Sequence, residues 1–185
     1  MKTERVRDIM VPLVEYATVS EDDSLYDAVL ALEEANRKFK DRLYRHRGVL
    51  VKNKKEEVIG KISERDILQG LEPKYADIIE DERGLSYHGY TPSFLKSIME
   101  THRLLQKPLD DLCGKAAKYK VSDVMYIPSV GEYVTANTTL DEAIHQLVVG
   151  HHQSLLVTQD GKVVGILRLS DVFHVICEKI KLCPR

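Results

Sequence analysis

Val6-Arg7-Asp8-Ile9-Met10 returns as Val121-Ser122-Asp123-Val124-Met125, 115 residues later. The same displacement relates Val19 to Val134, Ser24 to Thr139, Leu25 to Leu140 and Ala28 to Ala143. Further along, Val58-Ile59-Gly60-Lys61-Ile62 with Asp66-Ile67 returns as Val163-Val164-Gly165-Ile166-Leu167 with Asp171-Val172, now 105 residues later. Each copy covers about 65 residues in one order: a Val-x-Asp-apolar-Met head, a helix start, an apolar run, a glycine, a second apolar run and an aspartate. A repeat of this length is a supersecondary unit rather than a rung of a helical array. Two copies predict a pseudo-twofold pair, and the groove between them is the first place to seek function.

The second copy is the easier to read. Ser122-Asp123-Val124-Met125 is a short helical entry, and Tyr133-Val134-Thr135 a short strand. Thr138 or Thr139 can cap a helix carrying Leu140, Ala143, Ile144, Leu147 and Val148, an i, i+3, i+4, i+7, i+8 stripe that Gly150 can end. Residues 154–158 form a strand, Gln159-Asp160-Gly161-Lys162 a hairpin turn, and residues 163–167 the return strand. Ser170 then caps a helix through Val172, Phe173, Val175, Ile176 and Ile180. The order is β-α-β-β-α.

The first copy follows the same plan. Its helix starts near Ser24, and nine additional residues precede the strand Val49-Leu50-Val51. The added stretch is basic, with Arg37, Lys38, Lys40, Arg42, Arg45 and Arg47, and reads as a solvated helical extension or a phosphate-facing surface. Residues 71–120 belong to neither copy. The loop-like Gly84-Leu85-Ser86-Tyr87-His88-Gly89-Tyr90 precedes Thr91-Pro92, a cap followed by proline at the first helical position. Phe94, Leu95, Ile98, Met99, His102 and Leu105 fall at helical spacing; Lys107-Pro108 breaks the helix, and Leu109, Leu112, Cys113 and Ala116 start another. The expectation is an α+β protein. Residues 1–70 and 121–185 are two β-α-β-β-α repeats related by a pseudo-twofold, and a helical hairpin is inserted at 71–120.

Composition narrows the function. With 43% hydrophobic and 30% charged residues the chain can bury a core, and a net charge of −2 gives no pull toward nucleic acid or an anionic membrane. No apolar stretch approaches the roughly 20 residues of a membrane span. The charged start, Met1-Lys2-Thr3-Glu4-Arg5, is not a signal peptide, and three cysteines without CxxC spacing read as reduced thiols, so a cytoplasmic protein is expected. Adjacent His151 and His152 would point to opposite faces of a strand and make a poor metal pair, and they read as polar residues at a helix end. There is no Gly-rich phosphate loop, HExxH or GxSxG, and neither Asp66 nor Asp171 has an evident base or nucleophile beside it. An enzyme is not expected.

A duplicated β-α-β-β-α unit with this head, and with Gly-apolar-apolar-Ser/Thr-x-x-Asp near its end, resembles a CBS domain; the tandem resembles a Bateman module. The resemblance implies that adenosine-containing ligands bind in the clefts between repeats: AMP, ADP or ATP, ahead of S-adenosylmethionine. No cofactor is required. Gly60-Lys61-Ile62-Ser63-Glu64-Arg65-Asp66 matches that motif. Asp66 would accept hydrogen bonds from both ribose hydroxyls. Ser63, just before a helix start, suits a phosphate, although plain helix capping explains both residues as well. The second copy keeps Asp171 but places Arg168 where Ser or Thr would stand; the arginine can pair a phosphate, fill the cleft or pair with an acidic neighbour. By the same resemblance Arg47 reaches phosphate, and Met10-Val11-Pro12 and Met125-Tyr126-Ile127-Pro128 wall the adenine, core packing being the alternative.

The leading expectation is thus a stand-alone regulatory module that binds an adenine nucleotide and signals through conformation or assembly. It would be a homodimer, with an effector protein as a further partner. The alternative is a ligand-free dimeric interaction scaffold.

Overall fold

The structure, a computed structural model, describes residues 4–40, 43–72, 74–75, 78, 90–104 and 111–183. The first copy builds β2 (Thr18–Ser20), α2 (Leu25–Lys38), β3 (Gly48–Lys52), β4 (Val58–Ser63) and α3 (Glu64–Gly70). The second builds β5 (Tyr133–Thr135), α7 (Leu140–Val149), β6 (Ser154–Gln159), β7 (Lys162–Arg168) and α8 (Leu169–Lys181). Each head is a single helical turn, α1 (Val6–Ile9) and α6 (Val121–Val124), and β1 (Val11–Pro12) follows the first of them. In both copies the first strand runs parallel to the second and the second antiparallel to the third, with a register shift after Val51 and after Val157.

Local chemistry explains these elements. Ser24 accepts from the Asp27 amide while Asp27 accepts from the Ser24 amide, a capping box that starts α2; Thr139 and Glu142 do the same for α7. Gly150 ends α7. Asp160 (φ 50°) and Gly161 (φ 76°) are both left-handed, as the two-residue hairpin between β6 and β7 requires. The final helix departs from expectation. It begins at Leu169 with Arg168 at the cap, so Ser170 lies inside the first turn rather than ahead of it.

The heads are exchanged. Val6 packs with Leu140, Ala143, Leu155 and Leu167 of the second repeat, and Val121 packs with Leu25, Ala28, Val49 and Ile62 of the first. β1 pairs with β7, Val11 opposite Ile166, and Tyr126 bridges to Lys61 of β4. Two glycines make the approach possible: a Cβ on Gly165 would lie 2.5 Å from the Val11 carbonyl oxygen, and one on Gly60 would lie 2.8 Å from Met125 Sδ. A third buried cluster, of Val11, Leu50, Leu156 and Ile166, joins the two sheets.

Among its described residues the inserted stretch includes the helices α4 (Pro92–Thr101) and α5 (Leu112–Lys118). Thr91 caps α4 with Pro92 at its first position, as its sequence predicts. The helix stops at Thr101, Arg103 is left-handed (φ 50°), and Leu104 is buried beyond the helix end. Leu105, Lys107, Pro108 and Leu109, like the stretch 84–89, fall outside the described residues. α5 buries Ala116 in the first repeat's core, whereas α4 buries none of its residues. Among the described residues no helix is long and apolar enough to cross a membrane.

Candidate ligand-binding cleft

The ends of β3, β4 and β7 open onto a cleft of about 1410 Å³ between the repeats. Gly48 lies opposite Ser63 and Ser154 opposite Arg168 in the two sheets. The Arg47 carbonyl accepts from the Glu64 amide and the Gln153 carbonyl from the Leu169 amide, each at 3.0 Å. The cleft is therefore framed by two copies of one backbone corner.

At the first corner Ser63 and Asp66 form a capping box. Asp66 Oδ2 accepts from the Ser63 amide at 2.8 Å and from Ser63 Oγ at 2.7 Å, and Ser63 Oγ accepts from the Asp66 amide at 3.3 Å. Among the described residues these bonds reach only Oδ2, so Oδ1 keeps its acceptor capacity beside the cleft. Arg45 and Arg47, both exposed, line the same cleft.

At the second corner the arginine has turned onto its own aspartate. Arg168 Nε donates to Asp171 Oδ2 at 2.5 Å and its terminal nitrogen NH2 to Oδ1 at 2.7 Å; NH1 donates to the carbonyls of Tyr44 and Arg45, each at 3.2 Å. The Arg168 residue is only 8% exposed. Both Asp171 oxygens are thus occupied.

A network centred on the buried Glu132 carboxyl crosses from one repeat to the other between the corners. Lys61, on the same face of β4 as Ser63, donates to Glu132 Oε2 at 2.5 Å; Tyr126 and the Ser129 amide donate to Oε1 at 2.5 and 3.1 Å. Burial pushes the Glu132 carboxyl up, but the bonds from Lys61, Tyr126 and Ser129 outweigh it and hold the group below the usual carboxylate range. Donation to Glu132 pushes the Tyr126 hydroxyl up. Lys61 Nζ lies 5.2 Å from the centre of the Tyr126 ring. Across the cleft, burial raises the Tyr16 pKa to about 12, its ring standing edge-on to His46 at 4.6 Å. Asn36 clamps the backbone of His46 through both its amide and its carbonyl.

The structure brings Arg47, Ser63, Asp66 and Arg168 to the cleft lining, with Asp171 behind Arg168. Tyr126 lines it too, whereas Met10, Val11, Pro12, Ile127 and Pro128 are not among its lining residues. Because the heads are exchanged, Met10-Val11-Pro12 lie beside the Arg168 corner and Tyr126 beside the Ser63 corner. Val11 is fully buried, and Ile127 is 68% exposed. Sequence reading passed over Tyr16, Asn36, His46, Lys61 and Glu132. Two signals were available: Lys61 alternates with Ser63 along one strand, and Ser129-x-x-Glu132 carries a capping-box spacing.

The CBS-domain family model matches residues 6–72 and 121–178, one match per repeat and more than half the chain. The chain belongs to the CBS-domain family. Solved CBS structures share its fold. CBSX2, a CBS-pair protein from Arabidopsis thaliana, was solved in complex with AMP and is 22% identical, with a TM-score of 0.58 over 94% of this chain and 97% of that one. The CBS domain of a bacterial CNNM/CorC family Mg2+ transporter, in complex with ATP, is 16% identical, with a TM-score of 0.55 over 94% and 87%. The CBS domain of a CBS-domain-containing membrane protein from Sphaerobacter thermophilus is 21% identical, with a TM-score of 0.59 over 94% and 88%. No curated protein sequence matches the chain.

Proposed function

We propose that this CBS pair is a regulatory module that binds an adenine nucleotide (AMP, ADP or ATP) in the cleft between its repeats. Its signal passes through conformation or assembly to an effector protein, and it has no catalytic step of its own. The observation that carries the reading is the Asp66 carboxylate beside the cleft, pinned through Oδ2 by Ser63, with Oδ1 left to accept a ribose hydroxyl. An aspartate held in one rotamer loses little entropy on binding. Arg45 and Arg47 bring cations to the same cleft for phosphate, and Tyr126 offers an aromatic face for a base. Complexes of fold relatives with AMP and with ATP support the ligand class.

The protein as purified, titrated with AMP, ADP and ATP by calorimetry, tests this: saturable heat with at least one nucleotide is expected. The occupied Arg168–Asp171 corner favours a second reading, a dimeric interaction scaffold without ligand, and absence of heat from all three nucleotides would select it.

A further inference from the structure

The two corners share one backbone path and differ at the residue that caps the helix. Ser63 (φ −89°, ψ 167°) and Arg168 (φ −95°, ψ 143°) both cap the helix that carries the aspartate three residues on. Both face the preceding strand in the same register, and the residue after each donates to the same carbonyl at the same distance. Where the first repeat has a hydroxyl that satisfies one carboxylate oxygen, the second has a guanidinium that satisfies both.

We infer that Arg168 is a built-in plug. It occupies the place where the second repeat would grip a ribose, and it limits the protein to one nucleotide, at the Ser63–Asp66 corner. The inference rests on the reading that Asp66 takes the ribose. For a ribose to reach Asp171, two neutral hydroxyls must displace a bidentate, charge-assisted pair, and such bonds are roughly twice as strong as neutral ones. The displaced guanidinium would also remain in a site where its side chain is 9% exposed and that of Asp171 16%, so its charge would have little water to return to. The plug is held from a third direction. The Tyr44 and Arg45 carbonyls that accept from Arg168 belong to a segment whose next residue, His46, is clamped by Asn36, so the far side of the pair is fixed as well. The block is therefore made by the Arg168 side chain and held in place by the Tyr44 and Arg45 carbonyls.

The test is stoichiometry by calorimetry, with AMP and separately with ATP, on the full chain and on Arg168→Ser, which restores the hydroxyl found at the first corner. One equivalent is expected for the native protein and two for Arg168→Ser, the second disappearing when Asp171→Asn is added. Two equivalents in the native protein, or one in a folded Arg168→Ser variant, overturns the inference. Should native protein bind nothing while Arg168→Ser binds one equivalent, the plug stands and the reading of the Asp66 corner falls; binding by neither overturns both. If Arg168→Ser does not fold, Asp171→Asn in the native background decides the question: nucleotide affinity within about twofold upholds the inference, and a tenfold loss overturns it.

Discussion

Asp66 and Asp171 stand at equivalent places, yet their partners give them different chemistry: a serine leaves one of them an unengaged oxygen, and an arginine leaves the other none. Asp66→Ala should therefore weaken nucleotide binding by about 1.5–3 kcal/mol, the range for hydrogen bonds to a charged group. Losing its share of the capping box should cost only about 1 kcal/mol of stability. Calorimetry and urea unfolding on the same sample separate the two effects. Glu132 makes a second prediction. Its carboxyl titrates below the ordinary value of 4.5 in the fold, so its contribution to stability is complete above that pH and is lost as pH falls through the lower folded value. Glu132→Gln leaves Lys61 without its anion; with the Lys61 side chain 23% exposed, the cost should sit near the lower end of the roughly 3–5 kcal/mol seen for broken buried pairs. The stability gap between native protein and variant should narrow as pH drops below about 4.5. A gap that is constant from pH 7 to 3 would mean the network contributes no charge energy. Residues of this kind were the least legible in the sequence. Lys61 and Glu132 lie 71 positions apart, on different elements, and no local pattern announces a pair that only the apposition of two repeats creates.

At the scale of elements the sequence spoke more clearly, because caps, turns and period-2 runs are local. Ser24, Thr139, Thr91, the Asp160-Gly161 turn and Gly150 all do what their spacing predicts. The start of α8 was misread for a local reason. Ser170 looks like a cap, but the first repeat places its cap at Ser63, whose counterpart is Arg168, and arginine is a poor sequence signal for a helix start. In the sequence the glycines of β4 and β7 are repeat markers; in the fold they admit the segments that follow the exchanged heads. Gly165→Ala would drive a Cβ into a backbone carbonyl at 2.5 Å, whereas Gly60→Ala meets first the flexible tail of Met125 at 2.8 Å. Both should destabilise, Gly165→Ala by about 1–3 kcal/mol or more and Gly60→Ala by less, as overpacking costs depend on whether the neighbour can yield. Urea midpoints with unchanged slopes would register the order, and equal losses would contradict it.

For the whole molecule, the repeat that the sequence displays is not the unit that packs. Pattern matching assigns Val6 to the first repeat and Val121 to the second, while the cores hold them the other way round. No one-dimensional reading shows this, since the head and its own repeat are contiguous in the chain. The inserted helices carry a further consequence: Phe94, Leu95 and Met99 of α4 and Leu112 of α5 are all more than a third exposed, and clustered exposed apolar side chains mark interaction surfaces. We expect a homodimer through this face. Sedimentation should show twice the chain mass at micromolar concentration, with Leu95→Glu shifting it to the monomer; a monomeric native protein would refute the assignment. The exchanged heads can also be stated as mass action. Each half lacks a piece of its own core and carries the missing piece of the other, so the covalent connection between them serves as a local concentration. Cut between residues 89 and 90, the two fragments should each be unfolded alone, fold together when mixed at high concentration, and come apart on dilution.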